Sequence, residues 1–345
     1  MSFQINDRLY WPEGKRKAFT LSYDDGIEQD RRLVRMMNER KVRGTFNLNS
    51  GLFGRKGRVA AGKKEVDHIK IPAEEIIRLY ENHEVAGHGV NHESMYGMDT
   101  ARCAEEILTC RKELEQITGR PLTGFAYAFG AVDENILNAV RLSGISYART
   151  ITSTYKFDIP LDFLQWNPTC HHDDERVMEL ADAFLSDDFY FSMYSPAKLF
   201  YVWGHSYEFD QNDNWDHMEK LLDKVAFKDD VWYATNGQIQ SYVDAYRKLI
   251  FSVDSTKVFN PTCTSIWLGG IFSEKTVEVK PGHAHPLSAN AYDNTCLALS
   301  FLPPSSSMQQ ASRPTPLQYN LSNPPRMQKC CTYPPRTTPP HYLSL

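Results

Sequence analysis

Two short segments carry residues that could hold a metal ion and use it. SYDDG at 22–26 places Asp24 and Asp25 side by side at the end of an apolar run. HGVNH at 88–92 places His88 and His92 four residues apart, a spacing that puts both imidazoles on one face of a helical turn. Two histidines and one carboxylate are a usual ligand set for a catalytic metal with open positions for water and substrate. The pattern predicts that one aspartate binds the metal while the other acts as a base.

Each segment also has a plainer interpretation. Two aspartates before Gly26 are typical of a solvated turn, and with eleven histidines in 345 residues some pairs will fall four apart by chance. The order of the segments favours the metal site, because each of them follows a candidate strand.

The surrounding sequence alternates strand and helix signals. Strand candidates lie at 17–23, 44–51 and 84–89, and helix candidates lie between them at 28–41 and 72–83. The longest predicted helix covers 100–119, ends at a glycine, and places five apolar side chains on one face, namely Cys103, Ile107, Cys110, Leu114 and Ile117. Such a series indicates an α/β fold of parallel strands with helical crossovers, either a barrel or an open doubly wound sheet.

Over roughly residues 15–245 the motifs resemble those of the NodB-homology polysaccharide deacetylases, also called carbohydrate esterase family 4. SYDDG and HGVNH match the first two motifs of that family closely. FAYAFG at 125–130, Trp166 in DFLQWNP, and VWGH at 202–205 occupy the places of the third, fourth and fifth motifs. The resemblance implies a distorted (β/α)7-type barrel and a divalent metal, most often Zn2+.

The resemblance also implies a role for each matching residue. Asp25, His88 and His92 would bind the metal, Asp24 would be the general base, and His205 would protonate the leaving amine. Three further positions would contact the substrate: the backbone N–H of Phe129 at the oxyanion, with Trp166 and Val202 lining the acetyl pocket. For His205, Trp166 and Val202 the alternative is an ordinary place in the core.

Two departures from the family pattern affect these roles. Ala126 stands where the family has an arginine that orients the base. Arg149, at the end of a predicted strand, is our candidate replacement, with a surface arginine as the alternative. Asp162 precedes Trp166 at a different spacing from many relatives, so the partner of His205 is left open between Asp162 and the His171–His172 pair, which could also be a polar loop.

Composition narrows the possible partners and location. A net charge of −5 argues against binding to nucleic acid or to an anionic membrane surface. The first twenty residues contain no apolar signal region, and no run of about eighteen apolar residues exists that could span a bilayer. The seven cysteines form no CxxC pair and are typical of reduced thiols. We therefore expect a cytoplasmic protein; the sequence does not indicate its oligomeric state.

Three regions are predicted along the chain. Residues 1–248 would form the catalytic barrel, and 249–282 would form a small β appendage packed on the last helix. Residues 283–345 contain four Pro-Pro pairs and no hydrophobic period, which predicts a disordered tail.

The function expected from these observations is a metal-dependent amidohydrolase that removes N-acetyl groups from an N-acetylated sugar or oligosaccharide. One alternative is a hydrolase of a small non-sugar amide or cyclic imide on the same scaffold. The other is a metal-free carbohydrate-binding pseudoenzyme, which the altered third motif would permit.

Overall fold

A computed structural model describes residues 8–60, 62–186, 197–269 and 276–287 of the chain. The strands in these residues are β1 (Leu9–Tyr10), β2 (Lys17–Asp24), β3 (Gly44–Leu48), β4 (Arg58–Val59), β5 (Val66–Asp67), β6 (Glu84–Gly87), β7 (Gly124–Ala126), β8 (Tyr147–Arg149), β9 (Cys170–His171), β10 (Lys198–Gly204), β11 (Val231–Tyr233), β12 (Ile250–Phe251), β13 (Lys257–Phe259), β14 (Ile266–Gly269), β15 (Thr276–Val279) and β16 (Ala284–Pro286). The α-helices are α1 (Asp30–Glu39), α2 (Ile76–Leu79), α3 (Thr100–Thr118), α4 (Glu134–Leu142), α5 (Val177–Leu185), α6 (Tyr207–Asn212), α7 (Trp215–Val225) and α8 (Asn236–Arg247).

A parallel sheet forms the centre of the molecule. Its strands follow the order β8-β7-β6-β3-β2-β10-β9, and β11 pairs beside the first half of β2. All eight residues of β2 and all seven of β10 are buried, as expected for central strands covered on both faces. Arg149, the last residue of β8, also forms a parallel bridge with Trp166, which continues the strand pairing past the edge of β8. The sheet is the distorted (β/α) barrel that the sequence predicts.

The helix predictions are confirmed to different degrees. Helix α3 begins after Asp99, whose side chain accepts a hydrogen bond from the Arg102 N–H, and ends at Gly119 in a left-handed conformation. Its buried face contains four of the five predicted side chains, Cys103, Ile107, Cys110 and Leu114, while Ile117 is partly buried. The helix predicted at 72–83 is only four residues long, because the chain turns between Tyr80 and His83 to enter β6.

The predicted β appendage shares its core with the barrel. Strand β14 pairs with β15 on one side and with β1, from the beginning of the chain, on the other. The Tyr242 side chain of α8 joins the two, since its hydroxyl donates to the Tyr10 carbonyl and accepts from the Trp267 N–H. The appendage therefore packs on the last helix, as expected, but its sheet also includes residues assigned to the catalytic region.

The predicted start of the tail is wrong by a few residues. Ala284–Pro286 is strand β16, which pairs antiparallel with β13, and the Leu287 side chain is buried. The proline at 286 ends a short edge strand, a position where its missing N–H costs no ladder bond. Residues 288–345 lie outside the described residues.

Among the described residues, none of the helices combines the length and the apolar character needed to cross a bilayer.

Candidate active site

The carboxyl ends of the parallel strands bring the predicted site residues together. Asp24 is the last residue of β2, Arg149 is the last residue of β8, and His88 and His205 directly follow β6 and β10. In a parallel barrel these ends meet at one face, which is where such folds build their active sites.

A tight turn after β2 separates the two aspartates. Asp25 has φ 83° and Gly26 has φ 60°, so two successive residues are left-handed. A Cβ on Gly26 would lie 2.6 Å from the Leu48 side chain, which explains the glycine. The strained Asp25 conformation could not be read from the sequence. With this turn, the Asp25 carboxylate lies near His92 and His88, while Asp24 pairs with Arg149.

Asp25, His88 and His92 form a group suited to a divalent cation. One ligand atom from each lies within 4.8 Å of the others. His88 Nδ1 lies 2.8 Å from the Ala126 carbonyl, to which it donates, while its buried Nε2 has no hydrogen-bond partner among the described residues. A metal-ligating imidazole typically donates its other ring N–H to a carbonyl in this way. The donor set therefore fits a first-row divalent metal.

The protonation states of His88 and His92 are those that metal binding requires. Burial lowers the pKa of His88, and burial together with the nearby His88 lowers the pKa of His92 to about 4. Both imidazoles are therefore neutral at physiological pH, which is the form that binds metals.

The helical turn expected at residues 88–92 is absent. Gly89 and His92 both adopt left-handed conformations, with φ 79° and 59°, and the segment is a loop. The two rings still meet, with centroids 4.8 Å apart. The four-residue spacing therefore brings the imidazoles together through a different backbone path.

Asp24 is held among cationic and amide groups. Asn47 Nδ2 donates to its Oδ1 at 2.8 Å, and Arg149 Nη2 donates to its Oδ2. His88 Nε2 and His205 Nε2 lie 3.7 and 3.8 Å from the same Oδ2. Burial alone would raise the pKa of Asp24, but Arg149 and the two histidines outweigh it and lower the pKa. Asp24 is therefore ionised, and Arg149 contacts it as proposed from the sequence.

The partner of His205 is Glu208, which sequence reasoning missed. Glu208 Oε1 lies 3.3 Å from His205 Nδ1, and Glu208 Oε2 accepts the His205 backbone N–H at 2.9 Å. Although burial opposes it, the Glu208 carboxylate raises the pKa of His205 to about 9. The i,i+3 spacing in HSYE was a signal that could have indicated this pair.

Neither sequence candidate contacts His205 directly. Asp162 accepts the Leu164 N–H at 2.8 Å and stays with its own turn. His171 and His172 lie beside Glu208, 3.1 and 3.4 Å from its Oε2. The histidine pair therefore reaches His205 only through the glutamate.

Two further residues that the sequence analysis did not single out contact Asp25. Lys70 Nζ donates to Asp25 Oδ1 at 3.0 Å, and His68 Nε2 lies 3.2 Å from Asp25 Oδ2. Lys70 also donates to Asn49 Oδ1 at 2.9 Å. Both residues come from an irregular segment after β5, where no periodic pattern marks a functional position.

The predicted substrate-binding residues differ in their exposure. Phe129 is 62% exposed, has φ 59°, and packs its ring 4.7 Å from that of His92. Trp166 and Val202 are fully buried, Trp166 within an aromatic group with Tyr147 and Tyr201. These two side chains occupy the core positions that were the alternative for them.

Comparison with known proteins agrees with the site. Residues 12–148 match the family model of polysaccharide deacetylase. This segment contains Asp24, Asp25, His88 and His92. Over these residues the chain is similar to the polysaccharide deacetylases, and the resemblance seen in the sequence is confirmed. No curated protein matches the chain significantly.

One of the similar solved structures shares the fold. A protein from Mycobacterium smegmatis assigned to the polysaccharide deacetylases has a TM-score of 0.51 and 19% identity, over 71% of this chain and 96% of that one. A family 4 carbohydrate esterase from Streptomyces lividans, in complex with acetate, has a TM-score of 0.39 and 11% identity, over 61% and 88%. A Streptococcus pyogenes deacetylase, PplD, also with acetate, has a TM-score of 0.33 and 13% identity, over 38% and 55%. The chain thus spans about half the length of the last of these.

Proposed function

We propose that this protein is a metal-dependent amidohydrolase that removes the N-acetyl group from an N-acetylated sugar or oligosaccharide. The observation that carries the proposal is the position of Asp24. This ionised carboxylate lies between the donor set of Asp25, His88 and His92 and the protonated His205. The proposed base, the proposed acid and the cation site therefore lie next to one another.

Asp24 acts as the general base. A divalent cation, most often Zn2+ in this family, would lower the pKa of a bound water and polarise the amide carbonyl. Asp24 Oδ2 takes the proton of the attacking water, and Arg149 keeps this carboxylate ionised and aimed. A positioned base contributes about 10²–10⁴-fold to the rate.

His205 acts as the general acid. With a pKa of about 9 it carries a proton at neutral pH, which it gives to the leaving nitrogen as the C–N bond breaks. The Glu208 carboxylate lies 3.3 Å from the His205 Nδ1 and pairs with the charged imidazole, while Nε2 lies 3.8 Å from Asp24 Oδ2. The positively charged form that donates the proton is the form that Glu208 stabilises.

The remaining assignments are supported by position alone. The Phe129 backbone N–H would stabilise the oxyanion, and the exposed Phe129 ring offers an apolar face to a sugar beside His92. Trp166 and Val202 would support the acetyl pocket from beneath. Cytoplasmic location stays a prediction from the sequence.

Release of acetate from defined substrates tests the proposal. Purified zinc-loaded protein is incubated with N-acetylglucosamine, its oligomers and a panel of cyclic imides, and acetate and free amine are measured together. We expect equal amounts of acetate and amine from at least one N-acetylated sugar, and release slower by about 10²–10⁴-fold with Asp24→Asn.

Two outcomes would contradict the proposal. Opening of an imide ring with no acetate from any sugar would assign the site to small amides. Failure to bind any divalent metal, with sugar binding retained, would identify a pseudoenzyme.

A further inference from the structure

A second group of possible metal ligands lies behind His205. His171 and His172 stand at the end of β9, and Glu208 lies in α6. One ligand atom from each lies within 4.8 Å of the others. The group shares no residue with the donor set of Asp25, His88 and His92.

His172 is the unusual member of this group. Its side chain is fully buried, stacked between Tyr23 and Phe209 with ring centroids 5.7 and 4.2 Å away. A Cβ on Gly204 would lie 2.0 Å from its Nδ1, so the glycine makes room for the ring. Within the described part of the chain, neither ring nitrogen has a hydrogen-bond partner. Burying an imidazole without hydrogen-bond partners destabilises the folded state, so such a ring indicates a ligand that the neighbouring side chains do not supply.

The spacing around His172 Nε2 is that of ligands around a small cation. Glu208 Oε2 is 3.4 Å away and Asp173 Oδ1 is 3.6 Å away, yet neither makes a hydrogen bond to it. Glu208 Oε2 is also 3.1 Å from His171 Nε2. Ligands bound about 2.0–2.1 Å from a tetrahedral zinc are about 3.3–3.4 Å apart. The observed separations of 3.1, 3.4 and 3.6 Å lie on both sides of this value.

We propose that His171, His172 and Glu208 form a second binding site for a first-row divalent cation of the zinc class. Two imidazoles and one carboxylate are ligands that Zn2+ prefers, and His171 and Glu208 are partly exposed, which leaves an entry path. Asp173, fixed by hydrogen bonds from Asn212 and Asn214, is placed to complete the ligands.

This site is the weaker of the two. His171 Nδ1 accepts the Asp173 backbone N–H at 3.2 Å, so without a cation the ring proton sits on Nε2 and points to Glu208. Cation binding at Nε2 requires that proton to move to Nδ1, and the contact with the Asp173 N–H is then lost. His88, by contrast, already carries its proton on Nδ1, toward the Ala126 carbonyl.

Titration of the metal-free protein with Zn2+ alone tests the site, with no substrate present. Calorimetry should show two equivalents bound to the wild type, the second at least tenfold weaker than the first. His171→Gln and Glu208→Gln should each abolish the weaker equivalent and keep the tighter one. His88→Ala should do the reverse. Circular dichroism establishes that each variant is folded.

Matched controls separate this site from other ligands in the chain. His283→Gln removes an exposed histidine, and a Cys330→Ser, Cys331→Ser double variant removes the vicinal thiols. Both should still bind two equivalents. A single equivalent in the wild type, or two equivalents retained by His171→Gln, would overturn the second site. Because the readout is stoichiometry, neither result depends on whether acetate is released.

Discussion

At the scale of single residues, the site depends on two adjacent aspartates with different neighbours. Asp24 faces Arg149 and His205, whereas the left-handed turn directs Asp25 to Lys70, His68 and the histidine ligands. Backbone geometry thus gives the same side-chain type two sets of neighbours, which support the two roles that we propose. A substitution that keeps the shape of one carboxylate should therefore test one role at a time.

Asp24→Asn should leave metal binding intact and reduce turnover by about 10²–10⁴-fold, because only the base is lost. Asp25→Asn, His88→Ala and His92→Ala should instead lose the metal. Elemental analysis of the dialysed proteins together with acetate release measures both effects. Asp162→Asn, a carboxylate outside the site, serves as the control. Equal metal loss in the two aspartate variants would show that the roles are not divided.

Arg149 makes a second prediction at this scale. It is fully buried, donates to Asp24 Oδ2, and lies with its guanidinium carbon 4.4 Å from the centre of the Trp203 ring. Removing its charge in Arg149→Met should raise the pKa of Asp24, so that kcat/KM is lost at a higher pH on the acidic side. Arg149→Lys keeps a charge and should shift the profile less. An identical acidic limb in all three proteins would mean that Arg149 only fills space.

At the scale of elements, one buried carboxylate connects the loops that carry the site. Asp30, at the start of α1, accepts hydrogen bonds from the Ile27 N–H, from the Tyr80 hydroxyl and from the Ser206 hydroxyl. Ile27 follows the Asp-Asp-Gly turn and Ser206 follows His205. Asp30 therefore ties the turn that follows Asp24, the proposed base, to the segment that follows His205, the proposed acid.

Burial raises the pKa of Asp30 to about 7, although its three hydrogen bonds oppose the change. Because the folded pKa exceeds that of the unfolded chain, the protonated carboxyl favours the folded state. That contribution is complete below pH 4 and is lost as pH rises through 7.

Asp30→Asn cannot ionise, so its free energy of unfolding should approach that of the wild type, or exceed it, as pH rises from 4 to 8. Urea denaturation of both proteins across this range measures the difference between their free energies of unfolding. The contributions of the other titrating groups cancel in this difference, because both proteins contain them. A difference that stays constant with pH would contradict the raised pKa.

The sequence predicted elements better than it predicted contacts. The buried strands and the helix α3 follow from local apolar patterns, and the proposed metal ligands follow from motif spacing and strand order. Glu208, Lys70 and His68 were missed because their partners are set by loop paths and tertiary packing, which no periodicity encodes. The turn at Asp25 and the loop at His92 were missed for a related reason, because both residues adopt left-handed conformations that their residue types do not indicate.

At the scale of the whole molecule, strands from the two ends of the described chain pack together beside the barrel. Strand β1 lies against β14, and Leu9, Val258, Ile266 and Leu287 share one buried cluster with α8. The β appendage is therefore part of the structure that supports the barrel. Its last strand, β16, marks where that support ends among the described residues.

Two shortened chains test this end of the fold. A chain ending at Leu287 keeps β16 and should unfold at the same urea concentration as the full chain, because the sequence after it predicts no packed core. A chain ending at Gly282 loses the pairing of β16 with β13 and the burial of Leu287, whose N–H donates to the Thr256 carbonyl at 2.7 Å. Burial of one leucine side chain contributes about 1.5–3 kcal/mol, so the shorter chain should unfold at a clearly lower urea concentration. Equal midpoints for the two shortened chains would show that β16 adds nothing, and a loss of stability or acetate release on ending at Leu287 would show that later residues belong to the fold.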